Sequence, residues 1–141
     1  MGKHILIVDD EAPFRFSASL CLRQEGYEVS EAKDGAEAFT MIMERHHLGL
    51  AYDLIVLDIN MPKISGTDLF ETFRNHGITT PVVFITGYAD EKALSTAYKQ
   101  SKSRLLQKPI ASEEMISMVA LMCSGRGERE LRTQVQNRGG A

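Results

Sequence analysis

The chain has 141 residues, 43% hydrophobic and 25% charged, which is the composition of a globular domain long enough to bury a core. A net charge of −3 gives no reason to expect a nucleic-acid or membrane surface, and no apolar run approaches the length of a membrane span. The opening residues lack a signal peptide's apolar stretch, and Cys21 and Cys123 read as buried thiols of a reducing compartment, so a cytoplasmic protein is expected.

The first apolar run, Ile5-Leu6-Ile7-Val8, ends in the acids Asp9-Asp10-Glu11. Pro13 then suits the first turn of a helix that buries Phe14, Ala18, Cys21 and Leu22 and stops at Gly26. Tyr27 to Ala32 reads as a short strand, Asp34-Gly35 as a turn and nothing more, and Ala36 to Arg45 as a second helix. His46 to Leu50 is expected to be a connection. Its two histidines are adjacent, and adjacent residues on a helix do not share a face, so an exposed loop is favoured over a metal pair. Leu54 to Leu57 is a continuous apolar run that stops at Asp58, with Pro62 barring further strand. Such a run suits a strand buried on both faces, with Asp58 at its carboxyl end.

Ser65-Gly66-Thr67 leads into a third helix with Leu69, Phe70 and Phe73, closing near Gly77. Pro81 to Thr86 is a fourth strand, Gly87 to Asp90 a loop, and Glu91 to Gln100 a polar helix. Leu105-Leu106 is a short fifth strand closed by Lys108-Pro109. Ser112 is expected to cap a last helix with Glu113 and Glu114 in its first turn, its apolar face carried by Met115, Val119 and Met122. Met41, Met43, Met115, Met118 and Met122 read as core fillers, although Met118 falls off that stripe. Strand and helix alternate throughout, which argues for an α/β fold, a parallel sheet with helices on both faces. One domain is expected over residues 1–123, with 124–141 a linker stub or C-terminal tail.

In a parallel sheet all carboxyl ends point one way, so Asp9, Asp10, Asp58, Thr86 and Lys108 converge. Crowded carboxylates repel, and either a proton or a cation must settle among them. Oxygen-only ligands select a hard cation, Mg²⁺ above others, and with Lys108 it balances the three carboxylate charges. A carboxylate is also a nucleophile able to carry a phosphoryl group. The metal, Lys108, and the Thr86 hydroxyl with nearby N–H groups would each take one phosphoryl oxygen, while Gly87 keeps the approach to Asp58 open. Tyr88 either screens this site or merely covers its loop.

Over roughly residues 3–123 the chain resembles a receiver domain of a two-component response regulator. The residues that carry the likeness are Asp9-Asp10-Glu11, Leu54 to Pro62 with Asp58, Gly66, Ile85-Thr86-Gly87 and Lys108-Pro109. The resemblance implies a five-stranded doubly wound, flavodoxin-like (βα)5 sheet of order 2-1-3-4-5. It implies a phosphoacceptor switch, not a turnover enzyme, with Asp58 taking its phosphoryl group from a sensor histidine kinase or phosphotransfer protein. It implies Mg²⁺ on the Asp10 and Asp58 side chains and the Asn60 backbone carbonyl, with Asp9 acting through water. It also implies a cis bond before Pro109, and a homodimer through the fourth helix, fifth strand and fifth helix is one arrangement open to it.

Three departures stand out. Leu105 occupies the place of the family's switch aromatic, so switching is expected to rely more on Thr86 and loop movement. The connection from His46 to Tyr52 looks longer than usual. Gln100-Ser101-Lys102-Ser103 lacks the glycine stop of the preceding helix. Two other functions compete. An aspartate-nucleophile phosphohydrolase would want a second acid where Asn60 stands, and a pseudo-receiver that binds partners unphosphorylated would not need the intact set of acids.

Overall fold

Ten elements alternate along the chain: β1 (His4–Val8), α1 (Ala12–Gln24), β2 (Glu28–Ala32), α2 (Gly35–His47), β3 (Leu54–Asp58), α3 (Gly66–Asn75), β4 (Val82–Thr86), α4 (Glu91–Lys99), β5 (Ser103–Gln107) and α5 (Ser112–Cys123). They belong to a computed structural model that describes residues 2–88, 90–99 and 103–124. Every strand pair is parallel, in the expected order β2-β1-β3-β4-β5.

Alternation along the strands divides the core in two, because successive side chains leave opposite faces of a sheet. Leu6, Val8, Ile55, Leu57, Val82 and Phe84 pack against one layer with Ile42 of α2, Phe70 and Phe73 of α3, and Ala97 of α4. Ile5, Ile7, Leu54, Val56, Val83 and Ile85 pack against the other with Leu22 of α1 and Met115, Val119 and Met122 of α5. The inner strands β1, β3 and β4 are therefore apolar except at His4, which opens β1, and at Asp58 and Thr86, which end β3 and β4, and Asp58 is buried with the rest. The strand order reverses between β1 and β3, which opens a crevice at the carboxyl edge where such sheets hold ligands.

Several local expectations change. The second helix continues through His46 and His47, since no breaker precedes Gly49 (φ 73°) and basic residues suit a last helical turn. Both histidines are exposed with ring centroids 6.2 Å apart, on the helix and not in a loop. Asp34 does more than make a turn: its carboxylate accepts the Glu37 N–H at 2.8 Å and caps α2, while Glu37 returns to the Lys33 N–H. Ser112 does not cap α5. Ala111 holds the cap position, Ser112 lies already inside the helix, and no side chain bonds the first free N–H groups. Met118, off the stripe by spacing, is half-buried against the second core layer. Both cysteines are free thiols and half-buried.

Strand β5 is longer than the Leu105-Leu106 expected, and the buried Ser103 hydroxyl donates to the Ala97 carbonyl near the end of α4. Residues 100–102 of the stretch without a glycine stop, and 125–141 of the expected tail, lie outside the described residues. Among the described residues, no helix is long and apolar enough to cross a membrane.

Candidate functional site

Each site residue is delivered by the end of a strand. Asp9 and Asp10 follow β1, Asp58 ends β3, Thr86 ends β4 and Lys108 follows β5. Main-chain bonds hold these ends level: Asp9 N–H donates to the Ala32 carbonyl at 3.2 Å, Ile59 N–H to Ile85 at 2.9 Å and Lys108 N–H to Thr86 at 2.7 Å. The peptide bond before Pro109 is cis.

The loop after Asp58 is pressed down by α3. Gly66 N–H donates to the Ile59 carbonyl at 3.0 Å. A Cβ on Gly66 would stand 2.2 Å from the Asp58 carbonyl oxygen, so only glycine lets the helix start this close to the acid. Gly87 differs. An added Cβ there would meet nothing within 4 Å, so packing does not require a glycine at the mouth of the site.

Asp9, Asp10 and Asp58 each bring a carboxylate oxygen within 4.8 Å of the others, the one such grouping of potential metal ligands among the described residues. Asp9 is wholly buried, Asp58 is 3% exposed and Asp10 faces solvent. Asp58 Oδ1 accepts the Asn60 N–H at 3.1 Å, and Asp9 Oδ1 accepts the Glu11 N–H at 2.8 Å. Burial first, and repulsion from Asp9 second, push the Asp58 carboxyl up to about 7. Burial likewise raises Asp9, against the opposing pull of Lys108.

Lys108 does not sit on Asp58. Its ammonium lies 2.7 Å from Glu11 Oε1 and 2.9 Å from Asp9 Oδ2, with the Phe14 ring centroid 4.5 Å away. Burial by itself would lower the Lys108 pKa, but the hydrogen bond to Glu11 and the nearby Asp9 carboxylate outweigh it and the net shift is upward. The 2.9 Å approach to Asp9 is off the hydrogen-bonding angle, so the buried Oδ2 atom faces a charge yet has no donor. A buried carboxylate oxygen without a donor, two neighbouring carboxylates and an oxygen-only ligand set fit a hard divalent cation such as Mg²⁺.

Thr86 is buried, and its hydroxyl touches Asn60 and Tyr88 instead of Asp58. Tyr88 is 73% exposed, and its main-chain N–H and carbonyl both contact the Thr86 hydroxyl. Leu105 is half-buried, paired in register with Phe84 and packed into the first core layer. Sequence reasoning missed four contacts: Glu11 and Phe14 on Lys108, the Asn60 side chain on Thr86, and Arg15, which donates to the Asp9 carbonyl at 2.7 Å. Glu11 was visible only as the third acid of a run, and nothing local ties it to a lysine 97 positions away.

Fold and site together define a doubly wound α/β domain that gathers oxygen ligands and one ammonium at the carboxyl edge of its sheet. The chain matches the response regulator receiver domain family over residues 5–120 and belongs to that family. It is 30% identical over 139 residues to the phosphate regulon transcriptional regulatory protein PhoB of Pseudomonas aeruginosa, covering 96% of this chain and 58% of that protein. The transcriptional regulatory protein SrrA of Staphylococcus aureus is 29% identical over 119 residues, 84% of this chain and 47% of its own length. The chain thus spans about half the length of these curated relatives. Among solved structures, the chemotaxis protein CheY4 of Vibrio cholerae superposes with a TM-score of 0.74 at 26% identity, covering 84% of this chain and 97% of that one. A response regulator of Chloroflexus aurantiacus reaches 0.77 at 28% identity, covering 88% and 99%. The chain is a receiver domain of the two-component response regulator type, a signalling switch.

Proposed function

We propose that Asp58 is the phosphoacceptor and takes its phosphoryl group from a phosphohistidine on a sensor kinase or phosphotransfer protein. The observation that carries this is the cluster of Asp9, Asp10 and Asp58, closed on one side by Lys108, around a strand-end carboxylate only 3% exposed. An Asp58 oxygen forms the new P–O bond, the P–N bond breaks, and its electron pair returns to the imidazole, which then picks up a proton. The Asp10 and Asp58 side chains and the Asn60 backbone carbonyl would hold Mg²⁺, with Asp9 acting through water. The bound ion supplies positive charge to the phosphoryl oxygens. Lys108 leaves Glu11 to pair with one phosphoryl oxygen, and Thr86 turns to donate to another. Gly87 leaves the entry clear, and the exposed Tyr88 ring screens it from water and slows loss of the group.

Taking and hydrolysing its own phosphoryl group is all the chemistry this reading asks of the chain. Residues 1–123 form the switching unit, with 124–141 an appendage to it. The protein works in the cytoplasm, and α4, β5 and α5 form the face read by a partner or a second copy, without contact to nucleic acid. The test is intact mass after incubation with a small-molecule phosphodonor, with Mg²⁺ or with chelator. One phosphoryl adduct is expected, metal-dependent and absent from Asp58→Asn. A folded, Mg²⁺-binding chain that takes up no phosphoryl group would overturn the reading in favour of a partner-binding module without phosphorylation.

A further inference from the structure

The buried Thr86 hydroxyl has three polar neighbours. Asn60 Oδ1 lies at 2.5 Å, the Tyr88 carbonyl at 2.8 Å, and the Tyr88 N–H donates to the hydroxyl across 3.1 Å. A threonine hydroxyl has one proton and two lone pairs, so it cannot donate to Asn60 and to the Tyr88 carbonyl together. A half-turn of the Asn60 carboxamide places its NH₂ on the hydroxyl and removes the conflict. One lone pair then serves Asn60, the other the Tyr88 N–H, and the proton goes to the Tyr88 carbonyl. With either orientation Asn60 is bonded to Thr86, and none of these partners is Asp58.

Asp58 pairs in register with Ile85, so Thr86 is the next residue on the neighbouring strand. A phosphoryl group on Asp58 would offer its hydroxyl a charged acceptor, a stronger partner than a neutral amide or carbonyl. To reach it the hydroxyl must first give up bonds it already has. Asn60 touches both ends of that exchange, for its main-chain N–H holds Asp58 Oδ1 at 3.1 Å while its side chain holds Thr86. Leu105, on the strand beside β4, is aliphatic and offers the hydroxyl no competing polar partner.

We propose that the Asn60 side chain is a latch on Thr86 that holds the hydroxyl in its resting place and sets the threshold for its move toward Asp58. The inference rests on the reading of Asp58 as phosphoacceptor. It makes Asn60 a positioning residue, acting through Thr86 and distinct from any metal role of its own backbone carbonyl. Asn60 is exposed, so truncating its side chain leaves the core intact.

The test uses the full chain and beryllium fluoride with Mg²⁺ as the phosphoryl mimic, read by NMR. In the unliganded protein, Asn60→Ala is expected to shift the Thr86 methyl resonance toward its position in the beryllofluoride complex. Affinity for the mimic should tighten roughly two- to tenfold, the worth of one neutral hydrogen bond. In a Thr86→Val background the same Asn60→Ala change should do nothing, because the coupling runs through the hydroxyl. An unmoved methyl resonance, or equal tightening without the hydroxyl, would overturn the latch. Wild-type protein that stays folded and binds no beryllofluoride would overturn the phosphoacceptor reading and the latch with it, whereas an unmoved methyl resonance in a protein that does bind the mimic overturns the latch alone.

Discussion

Replacing Asp58 with Asn removes a charge and leaves the shape, so the change in stability reports what that charge costs the fold. The Asp58 carboxyl is raised from 3.8 to about 7 in the folded state, by burial and then by Asp9. For an acid shifted upward, the folded chain holds its proton more tightly than the unfolded one. Asp58 therefore costs nothing below the unfolded value, costs progressively more as pH rises from about 4, and reaches its full cost above about 7. A gap of about three pKa units corresponds to about 4 kcal/mol as an upper figure. Some of this is returned, since Lys108 also feels the Asp58 charge.

In urea unfolding with chelator, Asp58→Asn should exceed wild type by only about 1 kcal/mol near pH 4.5 and by a few kcal/mol at pH 8. Mg²⁺ should close much of that gap by stabilising wild type, because a cation that binds only the folded chain adds to its stability. A gain of equal size at both pH values would refute the reasoning. It would mean that the strand end, and not the buried charge, carries the cost.

Gly66→Ala forces a Cβ against the Asp58 carbonyl and should cost about 1–3 kcal/mol in urea unfolding. It should also slow phosphoryl uptake, since the α3 start must back away from the acceptor strand. Lys108→Ala leaves the buried Asp9 without its counter-charge and should destabilise the metal-free protein by about 3 kcal/mol at neutral pH. By intact mass the same variant should still accept a phosphoryl group, while the chemical-shift changes that follow phosphorylation in wild type become weaker.

Much of this protein was legible in the sequence by itself. Apolar runs of four or five residues ending in Asp9, Asp58 and Thr86 set the strands and placed polar groups at their carboxyl ends, because a strand buried on both faces tolerates polarity only where it stops. The helices followed from spacing and from stops such as Gly26 and Gly77, both at positive φ. Local chemistry decided these features, and local chemistry is what a sequence displays. Boundaries moved at Ser112, where Ala111 holds the cap position, and at His46-His47, where no breaker precedes Gly49.

Tertiary structure alone decided which partner each site residue holds. Lys108 pairs with Glu11 and Asp9 because β5 and β1 deliver them to the same edge from opposite ends of the chain. Thr86 meets Asn60 across 26 residues because β3 and β4 are neighbours in register. Gly66 stands out in sequence only through the family resemblance; its physical necessity comes from the Asp58 carbonyl 2.2 Å from where a Cβ would stand. Residue types and their order name the chemistry, but distances between strand ends exist only once the sheet has formed. Burial in the closed sheet, and then the short distance to Asp9, raise Asp58, and those distances keep Thr86 and Lys108 occupied elsewhere.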